Sequence, residues 1–212
     1  MDGGSELETL AKADVGAQVE LPRPKLKGEL TVEEAIARRR SVRDFEAGPL
    51  GLSQMGQLLW SAAGLTSKHG QQAAPSAGAR YPLEVYLTCE QGLFHYDVKG
   101  HTLIKVRAGD LRAALAAAAH GQSFIAAAPI SLVFTAIYER TTSRYGERGI
   151  RYVHMDVGHA AENVHLQAVA LGLASVPVGA FDDDAVAAVL RFPPDQKPIY
   201  IIPVGYPAPD AP

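Results

Sequence analysis

The residues best equipped for chemistry stand together at Arg38-Arg39-Arg40-Ser41-Val42-Arg43-Asp44-Phe45, four arginines within six positions. The chain carries 20 Lys+Arg against 23 Asp+Glu, so this cluster is local positive charge in an acidic protein. If the segment is extended, Ser41 and Arg43 point to one side and Val42 to the other. Guanidinium forks and a hydroxyl converging on one point suit a phosphate, through charge-assisted and bidentate bonds. The competing reading is a solvated helix end whose arginines only complement the helix dipole. The residues alone leave both open.

A second basic set, Arg140, Arg144, Arg148 and Arg151, shares one face if its segment is helical, although Gly146 and Gly149 interrupt it. It reads either as a solvated face, with Glu147 and Arg151 paired, or as a basic lid that receives an anion. His154, His159 and His165 with Asp156 lack the spacing of a metal site, there is no His-Glu-x-x-His, and the lone Cys89 offers no partner. No metal is expected. The chain also lacks G-x-G-x-x-G, a P-loop and G-x-S-x-G, which removes the motif-based cases for Rossmann cofactor binding, nucleotide hydrolysis and a nucleophile elbow.

The elements that must position these residues follow from caps and periodicity. Thr31 with Glu34 forms a capping box opening a helix to about Arg39. Ser53 is the expected cap of a second helix that stops at Gly64. After a small-residue loop at 71–80, strands are predicted at 83–89, 93–96 and 103–106, a helix at 110–120 and a strand at 130–137. A long helix at 151–171 has no clean polar face, which marks the centre of a core or a subunit interface. An apolar run at 174–178, a capped helix at 182–190 and a strand at 200–204 complete the order. This irregular succession predicts one α+β domain around a mixed sheet over residues 31–212, with residues 1–30 as an extended arm because Pro22 and Pro24 oppose helix.

The chain has 212 residues, 47% of them hydrophobic, and one cysteine, so it can bury a core without disulfides and suits a reducing compartment. A net charge of −3 and a pI near 6.2 argue against nucleic acid or an anionic membrane as partner. Residues 1–15 lack the pattern of a secretory signal, and a cytoplasmic location is expected. Residues 113–138 carry no Asp, Glu, Lys or Arg and are long enough to span a bilayer. His120-Gly121-Gln122-Ser123 and Pro129 break the run, which reads as an Ala-rich helix followed by a buried strand.

Five segments in order, Arg39-Arg40-Ser41-Val42-Arg43-Asp44-Phe45, Pro75-Ser76-Ala77-Gly78-Ala79-Arg80-Tyr81-Pro82, Gly158-His159-Ala160-Ala161-Glu162-Asn163, residues 170–181 and Pro203-Val204-Gly205-Tyr206-Pro207, resemble the nitroreductase-like flavoprotein family. The pattern is most similar to its SagB-type dehydrogenase branch and covers residues 30–207. The resemblance implies a nitroreductase-like α+β fold, with a central mixed but mainly antiparallel sheet flanked by helices. It also implies an intertwined homodimer with FMN at the subunit interface. Arg39, Arg40 and Ser41 match the positions that hold the FMN phosphate and ribityl chain, and Arg43 matches a basic residue near the N1 and O2 edge. A fixed guanidinium there stabilises the negative charge that two-electron reduction leaves at N1.

Pro75, Ser76, Ala77 and Gly78 match the loop that approaches the flat ring, in the family usually from the second subunit. Arg80 stands beside Ala79, where many members have an asparagine. Val176, Pro177 and Val178 match the segment covering the ring, and Gly179 and Ala180 the backbone N–H groups directed at N5. Gly205 and Tyr206 complete the implied cofactor set. Arg43, Gly179 and Ala180 are the expected catalytic positions.

Gly179 replaces a glutamate of the nitroreductase branch proper, and the sequence leaves the use of NADH or NADPH as reductant open. Arg144 and Tyr145, the expected substrate contacts, stand where azoline-forming relatives carry Lys-Tyr. An arginine stays protonated and is a poor base, which argues against azoline oxidation. The implied activity is hydride transfer through N5 to or from a small organic substrate. A flavin-binding or cofactor-free scaffold subunit of a biosynthetic complex is the alternative.

Overall fold

Alternating strand residues feed two separate apolar layers. Val85, Leu87 and Cys89 join one buried cluster and Tyr86 the other; Leu132 and Phe134 against Val133, and Ile202 and Val204 against Ile201, repeat the split. A sheet apolar on both faces needs helices on both. The computed structural model describes residues 3–209 and 211, and within them this requirement is met.

Seven strands, β1 (Gln18–Glu20), β2 (Leu83–Cys89), β3 (Gly92–Asp97), β4 (Thr102–Ala108), β5 (Ile130–Ala136), β6 (Ala174–Ser175) and β7 (Lys197–Gly205), lie in the order β1-β4-β3-β2-β5-β7-β6. All their pairings are antiparallel. The parallel element is a single bridge, Ser41 to Ser175. Eight α-helices are described: α1 (Gly3–Lys12), α2 (Val32–Arg38), α3 (Leu52–Ala63), α4 (Arg112–Ala118), α5 (Ser123–Ala127), α6 (Glu139–Tyr145), α7 (Arg148–Ala170) and α8 (Asp183–Leu190). α1, α3 and α7 cover one face of the sheet, and α4, α5 and α8 the other. The expected α+β architecture, a mainly antiparallel sheet flanked by helices, is the one observed.

Local chemistry explains most boundaries. The Thr31–Glu34 capping box opens α2 as expected. α3 starts two residues earlier than Ser53 implied: Gly51 is its cap, with the Gln54 side chain accepting from the Gly51 N–H at 3.1 Å. The uncharged run at 113–138 is split by His120 and Gly121 at φ 57° and 74°, so α4 and α5 are too short to span a bilayer. No described helix is long and apolar enough to cross a membrane.

The segment read as an extended arm carries more regular structure than its prolines suggested. α1 and the edge strand β1 precede Pro22, joined by a short turn at 13–17, and residues 21–31 run without helix or strand. Leu10, Val19 and Leu21 are buried against the main core, and buried Lys105 donates from Nζ to the Leu10 carbonyl at 3.0 Å. These few apolar residues could not form a core alone, but they extend an existing one.

The 23-residue α7 is about 35 Å long and serves as the spine of the candidate site.

Candidate active site

Arg39 closes α2 in a non-helical conformation, and the chain then runs extended between two strand ends. The Val42 N–H donates to the Ser175 carbonyl at 3.1 Å, the Glu46 N–H to the Tyr206 carbonyl at 2.9 Å, and the Ala208 N–H to the Asp44 carbonyl at 3.0 Å. This ladder fixes the alternation: Val42 is buried, while Ser41 and Arg43 are exposed on one side. Arg39 faces Glu162 of α7 at 3.8 Å. Arg40 turns back to the Ala37 and Arg39 carbonyls at 3.0 and 2.7 Å. The Arg43 guanidinium lies over the Phe124 ring at 5.7 Å, an orientation a cation–π contact favours.

Beneath this cationic corner, His165 Nδ1 and Ser175 Oγ share a hydrogen bond of 2.6 Å, both side chains being buried. Burial first, and the nearby Arg39 charge second, push His165 down to about 4, so it is neutral at physiological pH. Its Nε2 has no partner among the described residues. Ser175 thus links the corner to α7, its carbonyl accepting from the Val42 N–H and its hydroxyl bonded to His165.

Val176 and Val178 continue from Ser175 into the core, and Val178 bridges Ile201. Gly179 and Ala180 then emerge at the surface, with Pro177 half-buried before them. Gln122 steadies this exit by donating to the Ala180 carbonyl at 2.8 Å. Gly179 borders a cleft of about 450 Å³ whose walls include Tyr138, His154, Gly158, Phe181 and Tyr200. Gly205 does not face the exposed side. It is buried where a Cβ would come within 2.6 Å of Pro129 and 3.1 Å of Phe45, so its smallness lets the 41–45 segment close on the sheet. Tyr206 points to α3, where its hydroxyl meets the Gln54 amide.

The second set of expected residues forms a separate unit. The loop at 75–82 includes Gly78, Ala79 and Tyr81 at φ 60°, 53° and 45°. The Ala77 N–H donates to Asp156 Oδ1 at 3.4 Å. Burial raises the Asp156 carboxyl above its ordinary value, against the opposing hydrogen bonds from Ser76 and Ala77. Gly78 lies against Tyr145 and Arg144 of α6, and Arg80 is engaged there too, donating to the Arg140 carbonyl at 2.6 Å. Arg140 in turn pairs with Glu84 at 2.5 Å and donates to the Tyr81 carbonyl at 3.0 Å.

The arginine stripe is therefore broken: α6 ends at Gly146 with φ 57°, and Arg148 begins α7. Gly149 makes the close crossing possible, since its Cβ would stand 2.9 Å from the Thr142 backbone.

Arg39 and Ser41 are thus joined to the C-terminal half of α7 through Glu162, Ser175 and His165, while the chain beyond Ser175 leads to Gly179, whose cleft is walled by His154 and Gly158 of the N-terminal half of α7. Pro75, Ser76, Ala77, Gly78, Arg80, Arg144 and Tyr145 gather on its N-terminal half. Asp156 and His165, which anchor the two groups, are about 14 Å apart along the helix axis. Sequence reasoning missed Phe124 and Gln122, which follow an alanine-rich helix and belong to no motif, and it weighed His165 only as part of a discarded metal set. His154 is bonded to Tyr138 instead, and no group of three or more His, Cys, Asp or Glu among the described residues is placed to hold a metal.

With this geometry in place, likeness to known proteins becomes informative. The nitroreductase family model matches residues 36–206. A Methanocaldococcus jannaschii protein described as a candidate nitroreductase is 41% identical over 197 residues, spanning 90% of this chain and 98% of its own length. The crystal structure of a candidate nitroreductase from Ralstonia eutropha JMP134 superposes with a TM-score of 0.84 at 30% identity, covering 93% of each chain. The NADPH:FMN oxidoreductase of Vibrio harveyi, solved with NAD+, shares the fold at a TM-score of 0.62 and 21% identity, over 83% of this chain and 68% of that one. The chain belongs to the nitroreductase family, a family of oxidoreductases.

Proposed function

We propose that this protein is an FMN-dependent oxidoreductase of the SagB-type branch that works as a homodimer in the cytoplasm. The observation that carries the reading is the edge of half-buried Arg39 and exposed Ser41 and Arg43, laddered to Ser175 one short segment before the surface-exposed Gly179 and Ala180. Its donor set fits the group: guanidinium and hydroxyl donors for a phosphate monoester, then exposed backbone N–H groups beside a cleft able to take a flat ring. Bound FMN would supply two-electron chemistry at N5, with a small organic molecule as the partner and a reduced nicotinamide as the reductant to test first.

The chain's own residues supply the rest. Arg39, Arg40 and Ser41 hold the phosphate and ribityl end. Arg43, kept in place by Phe124, presents fixed positive charge to the N1 and O2 edge and so favours the reduced state. Gly179 and Ala180 offer N–H donors toward N5, on a segment held by Val176, Pro177 and Val178 below and Gln122 beside it. Gly205 and Tyr206 act at one remove, by closing the 41–45 segment onto the body.

The homodimer reading rests on apolar surface that one chain leaves uncovered. Val32 and Ile36 of α2 and Ile150 and Met155 of α7 are large, exposed and apolar. Two α7 helices packed antiparallel would cover such residues and bring the N-terminal half of one beside the C-terminal half of the other. Pro75, Ser76, Ala77 and Gly78 of one protomer would then complete the corner of its partner, with Arg144 and Tyr145 above the substrate.

Arg39→Ala combined with Ser41→Ala tests the reading. Each lost charge-assisted bond costs about 1.5–3 kcal/mol, so the purified variant is expected to lose its yellow colour while remaining a folded dimer by light scattering. Wild-type flavin content in that variant would overturn the phosphate assignment.

A further inference from the structure

The cleft beside Gly179 holds a pair of side chains that the proposed cofactor contacts do not use. Tyr138, just before α6, and His154, on α7, share a hydrogen bond of 2.7 Å between Oη and Nε2, and both line the cleft. Their rings meet edge to face, with centroids 5.7 Å apart and planes at 87°, which holds the two polar atoms in register. The two differ in access. His154 is exposed to water, whereas Tyr138 is half-buried against the cleft wall. An exposed imidazole bonded to a half-buried phenol has the layout of a proton path from solvent to a site.

We propose that Tyr138 and His154 form a proton relay for the redox reaction at this cleft, with Tyr138 the catalytic group facing the substrate and His154 the positioning and resupplying group behind it. The inference rests on the flavin reading above. A quinone-class acceptor that takes two electrons and one proton as hydride, from a reduced flavin, still needs one proton on oxygen. It receives that proton from Tyr138 Oη. The phenol regains it from protonated His154 through Nε2, and His154 is reprotonated by water. Electrons and protons then balance: hydride plus one proton reach the acceptor, and the pair returns to its starting state.

The other groups facing the pair fit this role. Asp183 at the start of α8 lies across the cleft. Burial first, and that carboxylate second, raise the Tyr138 phenol above its ordinary value, so it stays protonated until a developing oxyanion claims the proton. Arg144, by contrast, lies over the Tyr145 ring and carries no proton that it could give up.

The test uses FMN-loaded protein reduced with dithionite. It compares reoxidation by benzoquinone, which must be protonated, with reoxidation by ferricyanide, which needs no proton. Tyr138→Phe is expected to lower the ratio of the benzoquinone rate to the ferricyanide rate about a hundredfold or more, the range for a lost general acid. His154→Gln is expected to lower the same ratio less. An unchanged ratio in Tyr138→Phe, with normal flavin content, overturns the relay and leaves the flavin reading standing; a wild-type protein that takes up no FMN overturns both.

A second readout needs no turnover. The ¹⁵N resonance of His154 Nε2 is expected to shift in Tyr138→Phe, and an unshifted resonance would remove the hydrogen bond on which the relay depends.

Discussion

The cationic corner and the 75–82 loop with α6 flank the same helix, yet they are held by different physics. The corner is part of the sheet margin: backbone ladder bonds at Val42, Glu46 and Ala208, a buried His165–Ser175 contact, and a glycine enclosed by Phe45 and Pro129. The loop unit is held mainly by side chains reaching carbonyls, by the Arg140–Glu84 pair, and by residues at positive φ. Ladder bonds and buried contacts open only with the core, whereas partly exposed side-chain contacts open locally. The contrast makes the cationic corner a fixed margin of the sheet and the loop unit a region that opens locally.

The largest effect expected concerns His165. Its folded value of about 4 lies below the ordinary 6.5, so on acidification the unfolded chain takes up the proton first. The stability it contributes is complete above pH 6.5 and is lost as pH falls toward 4, by up to about 3 kcal/mol. Denaturant midpoints for His165→Gln should lose that slope; an unaltered pH profile would mean that the corner is not clamped by a neutral histidine.

Next comes Gly205→Ala, whose new methyl group meets the Pro129 ring and Phe45 in an enclosed space. Overpacking of this kind is expected to cost about 2–3 kcal/mol in thermal or chemical unfolding. A fully stable variant would show that the corner can shift, and the contrast between the two regions would fail.

Glu84→Gln probes the opposite unit. Burial pushes the Glu84 carboxyl up, but hydrogen bonds from His95 and Arg140 together outweigh it and leave it below its ordinary value of 4.5. Its contribution is therefore present above pH 4.5 and is lost only as pH drops through the lowered folded value, a more acidic window than that of His165. The substitution is expected to cost about 1–2 kcal/mol and to raise amide exchange in α6 more than in β6. Equal exchange in the two elements would contradict local opening.

The smallest change is expected for Gly78→Ala. At φ 60° the methyl group is strained, and it meets the Tyr145 hydroxyl, the movable end of a side chain. About 1 kcal/mol is expected, less than for Gly205→Ala. A larger loss would make the loop as rigid as the corner.

Short-range signals made much of this legible. The Thr31–Glu34 box, the strand alternation at 83–89 and the break at His120-Gly121 each act within a few residues, and each element formed where its pattern lay. The alternation at Ser41, Val42 and Arg43 was likewise readable, because an extended backbone admits one arrangement. α1 was not: its few apolar residues become structural only through a core built by chain far away in sequence. The start of α3 was missed by two residues because Gly51 caps through its backbone, aided by Gln54, and offers no side-chain signature.

The sequence by itself determined the element order, the two apolar faces of the strands and the local cluster of positive charge, since periodicity and charge are carried by neighbours. Only the tertiary structure decided that His165 underlies Arg39, that Phe124 and Gln122 support Arg43 and Ala180, and that Arg80 turns toward α6. Those pairings join residues far apart in the chain, and their energies depend on burial and distance, which come into being only when the layers pack.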